Sequence, residues 1–186
     1  VGGHGGIIEE LTADHREVQR LLDRVRCAPP GGAERKTLVE RAAIVLVRHT
    51  VAEKEYLYPA VRRYVLDGDG WADRALAGHR ALAEILADLE EREPGDEGFG
   101  RLLPPLVTEV TRHVVEAEQR LFPRLMAVCP EEELRRLGAR VREVEPKAPT
   151  RPRPGAPQAA PLVKAAARVW GPWDRLRDVW TRRGRR

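Results

Sequence analysis

The stretch HTVAEKEYLYP, His49–Pro59, recurs in outline as HVVEAEQRLFP, His113–Pro123. In each copy a histidine is followed four or five residues on by a carboxylate, and then by a Tyr-Pro or Phe-Pro pair at the same distance. His15 and His79 sit alone on two other segments with amphipathic spacing. Four of the five histidines thus fall one per segment on four successive helical patterns. One imidazole from each of four helices, with carboxylates alongside, is what a dinuclear metal site inside a four-helix bundle requires.

Working outward from these motifs, Ile8, Leu11, His15, Val18, Leu22 and Val25 repeat with 3-4 spacing from Ile7 onward, after a Gly-rich lead-in containing His4. Ala28-Pro-Pro-Gly-Gly32 ends this first helix. The second is expected from Ala33 to about Leu66, with Leu38, Ala42, Val45, His49, Glu53, Tyr56 and Ala60 inward. Pro59 lies inside it and predicts a bend or an early stop. Asp67-Gly-Asp-Gly70 reads as a turn, and a third helix runs from Trp71 to Arg92. The fourth spans Phe99 to Val128, and Pro104-Pro105 are expected within its first turn or before it. A short fifth helix, Glu131 to Val144, follows Pro130. Short connections imply an all-α, up-down-up-down four-helix bundle over residues 1–145.

After Glu145 the composition changes. KAPTRPRPGAPQAAP is Pro-rich and reads as a linker or a strap over the surface. Leu162 to Trp180 regains a helical stripe that Gly171-Pro172 is expected to interrupt, and TRRGRR is a basic end. From Pro146 to Arg186 there are 11 Lys/Arg against 2 Asp/Glu, whereas the whole chain of 186 residues has a net charge of only +4. The bundle is therefore mildly acidic, and the basic character belongs to the extension, residues 146–186. Such a tail fits docking on the bundle, contact with an anionic membrane surface or weak phosphate contacts. No nucleic-acid fold signature accompanies the charge, so no specific nucleic-acid partner is expected.

No apolar run approaches the ~20 residues of a membrane span, and no secretory leader is visible, so a cytoplasmic location is the expectation. Cys27 and Cys129 end antiparallel helices at opposite poles, about 30 Å apart, too far for a disulfide.

A lone histidine on an apolar stripe is ordinarily a hydrogen-bonded core residue. Four together are different, because burying four imidazoles and two carboxylates without a partner is costly and a metal supplies one. On a helix His49 and Glu53 project within about 40° of each other, and Tyr56 stays on that face. In the second copy the +4 position is Ala117, leaving Glu116 or Glu118 to reach inward. Imidazole with carboxylate and no thiolate favours iron or manganese over structural zinc.

At these residues the sequence resembles the hemerythrin-like, or HHE cation-binding, family. ADHREV around His15, the two repeated motifs and GHRAL around His79 carry the resemblance, over about residues 7–128. It implies a four-helix bundle holding two non-haem irons, oxo- or hydroxo-bridged, that meet O2, peroxide or nitric oxide. The family's ligands carry over to His15, His49, Glu53, His79, His113 and Glu118, with Glu116 as the alternative. The oxygen carriers have a further histidine four residues from the one in the third helix; here those flanking positions are Ala75 and Ala83. A centre short of a ligand has more exchangeable positions, which suits redox chemistry such as peroxide disproportionation, with Tyr56 filling a vacancy, supplying electrons or protons, or serving as an aromatic core filler. The competing readings are a non-enzymatic oxygen, redox or iron-handling sensor, and a docking protein acting through its tail.

Overall fold

A computed structural model describes residues 5–184; the lead-in around His4 and the last two arginines of the basic end lie outside the described residues. The elements are α1 (Ile7–Cys27), α2 (Ala33–Ala52), a π-helical turn (Glu53–Leu57), α3 (Tyr58–Tyr64), α4 (Gly68–Glu90), α5 (Glu97–Glu116), a second π-helical turn (Ala117–Leu121), α6 (Phe122–Val128), α7 (Glu131–Val144), a 3-10 turn (Glu145–Lys147) and α8 (Ala160–Thr181). Four long rods result, because α2 continues through its π turn into α3, and α5 likewise into α6. The chain is an all-α bundle, as the 3-4 stripes imply.

Two apolar layers make the core. One is built on Val18, Leu22, Leu38, Leu46, Leu86, Phe99 and Leu106, the other on Ile7, Leu11, Leu57, Val61, Leu121, Phe122 and Leu125. The four histidines fall between the layers, where hydrocarbon on both sides excludes water. The short fifth helix, α7, seats Leu137 and Val141 against the second layer. A Cβ on Gly138 would stand 2.6 Å from the Gly6 carbonyl carbon, so only glycine lets α7 approach the start of α1 this closely.

Several proline expectations are corrected. The early stop expected at Pro59 does not occur, and Pro123 likewise does not end its rod. Each follows a π turn whose closing bond runs five residues back, from the Tyr58 N–H to the Glu53 carbonyl and from the Phe122 N–H to the Ala117 carbonyl. A proline has no N–H for the carbonyl one turn back and its ring crowds that carbonyl, which a wider turn relieves. Pro104 and Pro105 lie inside α5, which begins at Glu97; both are exposed, so the carbonyls they leave free face water. Gly171-Pro172 does not interrupt α8. Helix α4 starts at Gly68, inside the expected turn, with Asp67 before it in the left-handed region at φ 56.

The segment after Glu145 lies against the bundle. Asp174 accepts the backbone N–H groups of Thr150 and Arg151 at 3.0 and 3.2 Å, Arg151 pairs with Glu90 and Asp178, and Arg41 donates to the Gly184 carbonyl at 2.8 Å. Cys27 and Cys129 are both free, one exposed and one buried. Among the described residues no helix is long and apolar enough to cross a membrane.

Candidate metal centre

His15 on α1, His49 on α2, His79 on α4 and His113 on α5 point into the layer between the two apolar cores, and the first three are at most 3% exposed. Ligand atoms of His15, His49, Glu53 and His113 all lie within 4.8 Å of one another. The His49 Nε2 stands 3.1 Å from His15 Nε2 and 3.3 Å from His113 Nε2. Glu53 is fully buried, and its two oxygens face different groups. Its Oε1 is 3.4 Å from His49 and 3.6 Å from His113, while Oε2 is 2.9 Å from His79 Nε2 and 3.0 Å from the Tyr58 hydroxyl, which donates to it.

Two outer carboxylates back this group. Asp14 accepts from His49 Nδ1 at 3.1 Å, and Glu118 from His15 Nδ1 at 2.8 Å. Each turns the Nε2 of its histidine inward and raises its donor strength. Glu118, expected as a ligand, therefore sits behind His15 rather than among the converging atoms. Glu116 lies instead on a small cavity beside Glu53 and pairs with Arg112 at 3.7 Å. Among the described residues no carboxylate stands behind His79 or His113, and the Nδ1 of His79 is buried without a partner.

The Tyr56 expectation is corrected. Its ring lies toward Arg140, Glu143 and Lys164, where burial and Glu55 push its hydroxyl up to about 12. The tyrosine at the site is Tyr58. At about 100° per residue, position +7 from His49 stays on the histidine's face and +9 falls opposite. The extra residue of the π turn shifts this phase by one position, swinging Tyr56 off the face and bringing Tyr58 round. The sequence held the signal: every element of the second motif is displaced by 64 residues, so Tyr58 corresponds to Phe122, Glu53 to Ala117 and Asp14 to Gly78. Phe122 stacks on His15 at 5.9 Å as the Tyr58 ring lies against His79 at 5.5 Å.

Without metal the charges distribute unequally. Burial would raise Glu53, but His113 and His49 hold its carboxyl well below the usual range. Burial would lower His49, but Glu53 and Asp14 outweigh it and pull it up to about 10. His15 falls to about 3 through burial and the charge of His49, and His113 to about 3 mainly through burial. Histidines depressed on folding take protons first in the unfolded chain, so their contribution is present above pH ~6.5 and lost as pH falls toward 3. His49 acts in the opposite sense: its contribution is full below pH ~6.5 and fades as pH rises toward 10. His79 is depressed by burial as well, while Glu145, raised to about 7 by burial and Asp14, takes its proton first in the folded chain and offsets part of the effect. Urea denaturation of the metal-free protein should accordingly show stability falling between pH 6.5 and 4.5 by about 1–3 kcal/mol per pH unit.

Buried Glu53 Oε1 has no hydrogen-bond partner. It faces three imidazole nitrogens that crowd to hydrogen-bonding distance, in a layer closed to water. A cation satisfies such a set of lone pairs, so the residues fit a metal. The profile of the family described as the hemerythrin HHE cation binding domain matches residues 6–125, most of the chain and all four histidine-bearing rods. The chain belongs to the hemerythrin HHE cation-binding family. An uncharacterized hemerythrin-like protein of Schizosaccharomyces pombe is 25% identical over 175 residues, 93% of this chain and 85% of that protein. A span of that extent takes in most of the segment beyond residue 145. A crystal structure of a hemerythrin HHE cation binding domain-containing protein from Mycobacterium kansasii superposes with a TM-score of 0.67, covering 76% of this chain and 86% of that one at 23% identity; this likeness shows the shared fold.

Proposed function

We propose that the chain holds a dinuclear non-haem iron centre, with His15, His49, Glu53, His79 and His113 as ligands, that acts on O2, peroxide or nitric oxide in a redox or oxidative-stress response. The observation that carries this reading is the placement of Glu53, whose two oxygens face two different imidazole groups, so that it could serve both ions of a pair. Imidazole and carboxylate without thiolate suit iron or manganese. Asp14 and Glu118 act through His49 and His15 as positioning residues. Iron bound here would supply one-electron exchange and Lewis acidity to a small ligand.

The chain's own residues leave room for such a ligand. A cavity of about 10 Å³ is lined by Glu53, Tyr58, Ala75, His113, Glu116 and Ala117. That is the lower limit for holding a single water, so O2 or peroxide enters only as the lining side chains give. Ala117 occupies the position that Glu53 takes in the first motif, and Ala75 is a flanking position where the oxygen carriers have a further histidine. Small side chains at both positions leave the space open. The Tyr58 hydroxyl borders it, held between Glu53 and His79. Burial, then Glu53, raises its pKa far above the ordinary range, so the proton stays on the phenol and is available to a ligand's oxygen.

Metal analysis with an absorption spectrum before and after peroxide tests the reading. About two irons per chain and a visible charge-transfer band that peroxide alters are expected; a colourless, iron-free protein from iron-replete cells overturns it. Tyr58→Phe, which copies Phe122 of the second motif, should keep the iron and lower peroxide turnover by about 100-fold or more. Unchanged turnover would remove Tyr58 from the chemistry. Iron without any turnover would favour the sensor.

A further inference from the structure

Helix α8 has two faces of different character. Its inner face, Val163, Ala167, Gly171 and Asp174, is buried against the rest of the chain, and a Cβ on Gly171 would stand 2.1 Å from the Lys147 carbonyl oxygen. Its outer face carries a row of uncovered apolar side chains. Leu162 is 59% exposed, Val169 69%, Trp173 65%, Leu176 56% and Trp180 84%. They follow one another at spacings of seven, four, three and four residues, so they form a single stripe along the helix. Among the described residues no other helix leaves a comparable stripe in water.

Charge is sorted by the same two faces. The two acidic residues of α8 are turned inward: Asp174 pairs with Arg153 and accepts from the Thr150 and Arg151 backbones, and Asp178 pairs with Arg151 and Arg183. The exposed cations lie along the seams at the edges of the stripe, Lys164 and Arg168 on one side, where they line a cavity with Glu55 and Glu143, and Arg177 on the other, while Arg175 donates to the Lys147 carbonyl at 2.8 Å. The outward face is therefore apolar, edged by cations and without a carboxylate of its own. Indole rings are favoured where one end of a side chain is wetted and the rest is not.

We infer that α8 is an interfacial anchor that lays this protein on an anionic phospholipid surface, with Trp173 and Trp180 in the headgroup layer and the flanking cations on lipid phosphates. About 33 Å of helix lies parallel to the surface, and the inward salt bridges hold it on the bundle while its outer face is engaged. Apolar insertion and attraction to anionic lipid act together in this geometry. A second copy of the chain is disfavoured as the occupant, because pairing two stripes would bring the cations at their edges against others of the same sign. The inference is independent of what the metal centre does.

Co-sedimentation of the full chain with vesicles tests it. With phosphatidylcholine–phosphatidylglycerol vesicles the protein should pellet and its tryptophan emission shift to the blue; with phosphatidylcholine alone, neither should occur. Raising salt from 0.1 to 1 M, which shortens the screening length from about 10 to 3 Å, should release most of it. Trp173→Ser/Trp180→Ser should bind roughly tenfold or more weakly. Both side chains are exposed in the free protein, so its circular dichroism should match the parent's. Lys164→Gln/Arg168→Gln should weaken binding to anionic vesicles without removing either tryptophan. Equal pelleting with and without vesicles overturns the proposal, as does binding that the tryptophan pair does not affect. A concentration-dependent dimer by sedimentation velocity, with no vesicle binding, overturns it in favour of a second copy.

Discussion

Glu53→Gln should cost this protein its metal. The substitution keeps the side chain's size and removes only its charge, at a position that is fully buried. It also replaces an oxygen with an N–H2 group among converging imidazole nitrogens, where a donor repels a cation. Removing an outer partner of a metal ligand weakens binding by 10–100-fold, so losing the carboxylate that faces both groups should exceed about 100-fold. Chelator competition followed by metal analysis measures this; iron retained at parental stoichiometry with an unchanged spectrum would show that Glu53 is not a ligand. The metal-free protein gives a second readout. Glu53 is a principal reason that His49 is pulled up to about 10. Without it, the stability that His49 contributes below pH ~6.5 is reduced, so the variant should be destabilised more at pH 6 than at pH 8. Leaving one member of a buried ion pair costs about 3–5 kcal/mol, and Asp14 at 3.1 Å reduces that loss by remaining as a partner.

The four histidines and the bundle were legible in the sequence because both follow from periodicity. Each histidine replaces a leucine or valine on a stripe that must face inward, and four such stripes with short turns assemble one way. What the stripes could not reveal was a change of period. Tyr56 and Tyr58 differ by two residues, and choosing between them depends on whether the turn between Glu53 and Tyr58 is α or π. Alignment of the two motifs would have pointed to Tyr58, since Tyr58 and Phe122 each precede a proline. Asp14 was missed for another reason. It neighbours His15 in the chain, but adjacent residues on a helix diverge by about 100°. Its carboxylate therefore serves His49 on the next helix, a relation that exists only once α1 and α2 are packed. Glu118 reaches the outer nitrogen of His15 in the same way. The buried acids of α8 were equally hidden, because composition gives a charge but not the face on which it sits.

Inserting an alanine after Lys54, within the first π turn, should be the most damaging small change in the rod. The turn already takes up one residue beyond the α period, so a second rotates everything downstream by about 100° relative to His49. Leu57 and Val61 are fully buried and Tyr58 is 3% exposed, and all three would swing away from their present partners. Exposing even two such side chains costs about 3–6 kcal/mol, a large share of the 5–15 kcal/mol that holds a domain folded. The Tyr58 hydroxyl would also leave Glu53 and His79. Thermal and urea denaturation should show a variant that is barely folded at 25 °C, with iron content reduced to match. Pro59→Ala separates the two causes of the π turn. If burial of Leu57, Tyr58 and Val61 holds the register, restoring an N–H at position 59 gains one backbone bond at most, worth about 1 kcal/mol, which is too little to rotate the rod. The variant should keep its iron and its spectrum and change stability by no more than about 1 kcal/mol. Loss of the centre in Pro59→Ala comparable to that in the insertion would instead mean that the proline imposes the turn. Pro123→Ala should then fail in the same way, because the second motif bears the same proline after the same π turn.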